Sequence, residues 1–72
     1  MAIFTTKVID RFCYVINNGN KIAREYHLED VILFAKFDQS KTGGMNLTFT
    51  ENSAARIWMN CKPTKEISNF HL

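Results

Sequence analysis

Long apolar runs are missing from this chain. The longest covers only residues 31–35, far short of the roughly 18 residues that a membrane helix requires. The opening Met1-Ala2-Ile3-Phe4-Thr5-Thr6-Lys7 has no basic stretch leading into an apolar segment, so no secretory signal is expected and the cytoplasm is the expected compartment. Proline and glycine are scarce, at one and three residues. No linker, repeat or low-complexity stretch divides the 72 residues, which predicts one domain over residues 1–72 with 63–72 as a loosely docked tail.

Cysteine is nearly absent too. Cys13 and Cys61 lie far apart in no CxxC pair, and His27 and His71 have no partners at metal-ligand spacing. Without secretion both thiols are expected reduced and packed as small apolar groups. No metal and no cofactor are expected, because a zinc site needs about four nitrogen or sulfur ligands. Charge of one sign is not in excess: nine Lys and Arg against seven Asp and Glu give +2, with a pI near 8.7. A dedicated nucleic-acid domain is often above a pI of about 9.

What is present is an ordinary globular composition, 46% hydrophobic and 12% aromatic, which excludes wholesale disorder. A chain of about 60 residues buries only about 60% of the surface it exposes when unfolded. Small scaffolds therefore lean on disulfides, metals or partners. With the first two missing, a partner becomes the expected support.

Alternation dominates the first third. Phe4, Thr6, Val8, Phe12, Tyr14 and Ile16 share one parity, and Lys7, Arg11 and Cys13 the other. That period of two reads as a strand, or as two strands broken near Asp10-Arg11. Asn17-Asn18-Gly19-Asn20 is the strongest turn signal, since Asn and Gly tolerate the positive φ of tight hairpins. The return strand is predicted over residues 21–27, with Ile22 and Tyr26, followed by Leu28, inward and Arg24 as a misfit.

Residues 28–37 fit two periods. Leu28, Val31, Ile32 and Ala35 make a helical stripe; Val31, Leu33, Ala35 and Phe37 alternate as a strand. Crowded β-branched and aromatic residues favour the strand, with a short helix as the alternative. After a polar loop, Met45, Leu47 and Phe49 alternate with Asn46, Thr48 and Thr50 and predict another strand. A helix is expected over about 51–61: Thr50 or Asn52 caps it, Ala54, Ile57, Trp58 and Cys61 form one buried stripe, and Pro63 stops it. The expected fold is α+β, a three- or four-stranded antiparallel sheet with the hairpin at 17–20 and one C-terminal helix packed on one face.

One helix covers one face. The other is expected to carry Thr5, Lys7, Ile9, Arg11, Lys21, Ile32, Phe34, Lys36, Asn46 and Thr48, and a bare apolar patch on a small domain marks a contact surface. Catalysis is not expected. Cys13 and His27 are chance hairpin neighbours, Glu25, Glu29 and Asp30 read as a solvated cluster, and Gly43-Gly44 lacks a phosphate-loop pattern. Asn46-Leu47-Thr48 matches a glycosylation acceptor that is idle without secretion.

Two binding readings remain. The first is protein–protein interaction through the exposed sheet face, with another protein or with itself as a homo-oligomer, and with Ile9, Ile32, Phe34 and Lys36 as interface residues. Pairing at a sheet edge is a further mode. The second is a DNA- or RNA-binding module using Lys7, Arg11, Lys21 and Lys36. Residues 47–58, LTFTENSAARIW, resemble the last-strand-to-helix junction of small three-stranded DNA-binding domains, such as the arm-binding domains of tyrosine recombinases. That likeness covers a dozen residues and implies the second reading. Asn, Lys, Ile and Phe, all with AT-rich codons, make up 26 of the 72 residues. Such a bias is common in bacteriophage accessory proteins, which bind host factors.

Overall fold

The computed structural model describes residues 3–42 and 51–69. Three strands come first: β1 (Phe4–Ile9), β2 (Phe12–Asn17) and β3 (Ile22–His27). Two helices follow, α1 (Leu28–Thr42) and α2 (Glu51–Asn60), and then a short strand, β4 (Lys65–Ser68). The sheet is antiparallel with the order β1-β2-β3-β4. The α+β expectation holds, with four strands among the described residues. The strand expected at 45–50 and the cap at Thr50 lie outside the described residues. Asn52 is corrected: it lies inside α2, which already begins at Glu51, and so does not cap it.

Two turns build the meander. Ile9 pairs with Phe12, leaving Asp10 and Arg11 as a two-residue loop in which Asp10 takes φ 55°. Between β2 and β3, Asn17 Oδ1 accepts from the Gly19 and Asn20 backbone N–H groups at 3.2 and 3.4 Å. This local side-chain turn is what the Asn-rich run predicts. Lys21 closes it at φ 56°.

The tight first turn corrects the parity expected from the sequence. Cα partners share a face, so Ile9 and Phe12 point the same way although one number is odd and the other even. Parity therefore inverts at the turn. Phe12, Tyr14 and Ile16 join Thr5, Lys7 and Ile9 on one face, while Phe4, Thr6 and Val8 align with Cys13, Val15 and Tyr26 on the other.

Residues 28–37 form a helix, not the favoured strand, so two helices rather than one lie in the second layer among the described residues. Glu29 and Asp30 occupy the first turn, where carboxylates meet the positive end of the helix dipole. The Leu28 N–H donates to the Arg11 carbonyl at 2.8 Å and fixes the chain where β3 becomes helix. Val31 is buried in the core, with Leu28 and Phe34 packed against it, the i, i+3 spacing of a helical stripe. Period alone did not discriminate, because every residue from 31 to 35 is apolar.

The core is one cluster between the layers. Cys13, Val15 and Tyr26 from the sheet meet Val31 of α1 and Ala54 and Ile57 of α2, ringed by Phe4, Leu28, Phe34, Trp58 and Cys61. The stripe predicted on α2 is the one that packs. Arg24, the expected misfit, faces this layer. Its Nε donates to Glu66 at 3.0 Å, one Nη donates to the Trp58 carbonyl at 2.8 Å, and the guanidinium lies 4.0 Å over the Trp58 ring. Arg56 donates to Asp38 at 3.2 Å and links the helices. The tail is also corrected: residues 65–68 pair with β3 as a strand.

Candidate interaction surface

Because both helices share a layer, the opposite face of the sheet carries no helix among the described residues. Strand register writes it as three rows. Thr5, Ile16, Ala23 and Ile67 form the first; Lys7, Tyr14, Glu25 and Lys65 the second; Ile9, Phe12 and His27 the third. The first row is closed, with Ile16 2% and Ala23 0% exposed. The other two are open at their ends, where Lys7, Ile9, His27 and Lys65 are exposed beside half-buried Phe12 and Tyr14.

A hydrogen-bonded carboxylate sits in the middle row. Tyr14 donates its hydroxyl to Glu25 Oε2 at 2.9 Å, Thr64 donates to Oε1 at 2.7 Å, and Lys65 Nζ stands 3.9 Å away. The Thr64 N–H also donates to the Glu25 carbonyl at 2.7 Å. The Thr64 hydrogen bond leads in holding the Glu25 carboxyl below its ordinary range, with Tyr14 and Lys65 adding to it against the opposing effect of burial. In return Glu25 raises the Tyr14 phenol. Glu25 is thus an ionised anchor between Lys7 and Lys65, not a member of a solvated cluster. In the third row, the Phe12 and His27 rings stand 5.5 Å apart, tilted by 31°, within the range of favourable ring pairs.

Of the four residues expected at a protein interface, only Ile9 lies on this face. Ile32, Phe34 and Lys36 belong to α1. Phe34 packs against the core, so it is a structural anchor of the helix layer. Ile32 joins Arg11, Asp10, Leu28 and Glu29 in lining a cleft between the β1–β2 turn and the start of α1. Nor do the four residues of the nucleic-acid reading converge. Lys7 is on the helix-free face, Arg11 and Lys21 are at turns on opposite ends of β2, and Lys36 is in the helix layer. Six residues of strand separate the two turns by roughly 20 Å. Phe12, Tyr14, His27 and Lys65 were missed. Reading Asp10-Arg11 as a two-residue turn would have found the first two.

Cys13 and Cys61 are free thiols of the core cluster. Burial, with a smaller contribution from Cys61, pushes the Cys13 thiol up to about 11. Burial likewise raises Cys61. Among the described residues no three His, Cys, Asp or Glu side chains are grouped to hold a metal, and no helix is long and apolar enough to cross a membrane. No protein-family model, curated protein or solved structure matches this chain.

Proposed function

We propose that this chain is a small non-enzymatic binding protein whose partner is another protein, docked on the helix-free face of the sheet. The observation carrying this reading is the open end of that face, where Ile9, Phe12 and Tyr14 sit among Lys7, His27 and Lys65. Aromatic groups at the centre with a polar rim are the usual anatomy of a protein interface. Glu25 between two of the lysines breaks any continuous basic stripe, which weighs against a phosphate backbone as the ligand. The AT-biased composition supports the narrower reading of a bacteriophage accessory protein acting on a host factor.

Photo-crosslinking residues placed at His27 or Lys65 test it. They are expected to capture one discrete protein from the native host, whereas the same probe at Arg56 or Asn60 on α2 captures none. Phe12→Ala should weaken capture about tenfold or more, the effect of removing an aromatic hot spot, with the circular dichroism spectrum unchanged. Capture from the α2 positions instead would overturn the reading. So would salt-sensitive retention on DNA or RNA that Lys7→Glu with Arg11→Glu abolishes.

A further inference from the structure

The sheet has two outer edges, and they differ. β4 is four residues long and presents Lys65 and Glu66 just after Pro63, the short charged kind of edge that resists pairing. β1 is six residues long, has no proline, and holds Lys7 as its one charge. Among the described residues no strand pairs with its outer side.

Register fixes which backbone groups of β1 point outward. A two-residue hairpin closes on a hydrogen-bonded pair, here Ile9 with Phe12. Hydrogen-bonded pairs then recur at Lys7–Tyr14 and Thr5–Ile16. The Asn18 N–H bond to the Ile3 carbonyl at 2.6 Å continues the same series. Residues 3, 5, 7 and 9 therefore spend their backbone groups on β2, and Phe4, Thr6 and Val8 turn theirs to the free edge.

Side chains along that edge are self-complementary. We propose that β1 pairs antiparallel with β1 of a second copy, on a two-fold axis at Thr6, to form a continuous eight-stranded sheet. In this register Phe4 and Val8 face Val8 and Phe4 of the second copy, Thr5 faces Lys7, and Ile3 faces Ile9. Three side chains left open by the single chain, Ile3 at 42%, Val8 at 47% and Ile9 at 46% exposed, each gain an apolar partner. The Ile3–Ile9 contact is a non-hydrogen-bonded pair, where side chains approach closest. Both neighbouring registers are worse. Shifting the axis to Lys7 sets Lys7 against itself and Phe4 against Asp10 in the turn. Shifting it to Thr5 sets Ile3 against Lys7. The centred register also makes the most hydrogen bonds from the three outward residues. It shares Lys7 and Ile9 with the sheet-face site but leaves Phe12, Tyr14, His27 and Lys65 on β2, β3 and β4 accessible, so either proposal can fail without the other.

Light scattering after size exclusion is expected to give twice the 8.3 kDa chain mass, falling to one on dilution. Thr6→Pro removes only an outward N–H and should give a monomer with an unchanged circular dichroism spectrum. Across the edge Thr5 faces Lys7 of the second copy in a non-hydrogen-bonded pair, with Cα atoms about 4.5 Å apart and side chains at their closest, inside the disulfide range of roughly 4.4–6.8 Å. Strand spacing and rise put the two Thr5 Cα atoms about 8 Å apart, outside it. Thr5→Cys combined with Lys7→Cys should therefore oxidise to a covalent dimer, and Thr5→Cys alone should not. A native chain that stays monomeric at millimolar concentration overturns the proposal. So does a dimer that persists in a folded Thr6→Pro, or crosslinking of Thr5→Cys alone as readily as of Thr5→Cys with Lys7→Cys. If Thr6→Pro does not fold, the cysteine pair decides alone. Loss of the dimer with capture at His27 intact would remove edge pairing and keep the sheet-face partner.

Discussion

Three side chains carry polar atoms into places with little water, and each is handled differently. Glu25 is satisfied by Tyr14 and Thr64. Since its folded pKa is lowered, its contribution to stability is present above the ordinary carboxylate range and lost as pH falls through the lowered value. Thermal melts from neutral to acid pH should show that loss, and Glu25→Gln should melt lower at neutral pH with a flatter acid limb. Tyr26 is 1% exposed, and its hydroxyl makes no well-formed hydrogen bond among the described residues, although the Arg24 guanidinium lies near enough to act on it. An unmade buried hydrogen bond is costly, so Tyr26→Phe should melt at the same temperature or higher; a clear fall would mean the hydroxyl is bonded. Cys13 is raised by burial from 9.0 to about 11. Its contribution is whole below pH 9.0 and fades as pH rises towards about 11. At neutral pH the thiol is protonated, and labelling by a thiol reagent should wait for unfolding.

At the scale of elements, α1 is where sequence and structure part. Phe34 packs against the core from this helix, so Phe34→Ala should cost about 2 kcal/mol, below the roughly 3–5 kcal/mol of a fully buried Phe. That corresponds to roughly 8–16 °C in the melting midpoint at about 4–8 °C per kcal/mol. Phe34→Asp should unfold the chain rather than disturb a surface. Lys21 holds φ 56° at the end of the hairpin, a conformation costing a non-glycine residue about 1 kcal/mol. Lys21→Gly should raise the midpoint by a few degrees, read by circular dichroism. The Asn17 turn, the α2 stripe and the inward set Ile22 and Tyr26 were legible because polar and apolar residues alternate there. Residues 28–37 were not, since a run apolar on all sides satisfies both periods. The sheet face was half legible: Lys7 and Ile9 follow from β1 alone, but Phe12 and Tyr14 depend on a two-residue turn that inverts parity. Lys65 depends on β4, whose pairing with β3 spans some forty residues and leaves no local pattern.

Over the whole molecule, β1, β2 and β3 form a local meander, and the chain returns through both helices to close the sheet at β4. This return supplies Thr64 and Lys65 to Glu25 and Glu66 to Arg24. A chain ending at residue 62 should therefore lose its cooperative melt, not merely a frayed end; an unchanged midpoint would show that β4 contributes nothing. The small size that pointed to an outside partner is thus met in part from within. Trp58, the one tryptophan, belongs to α2, stands 5.3 Å from Phe4 of β1, and lies under Arg24 of β3. A single fluorophore consequently reports on the first strand, the third strand and the second helix together. Its emission colour and intensity in the native chain are a readout of whether those three parts have come together, with no dye or label attached.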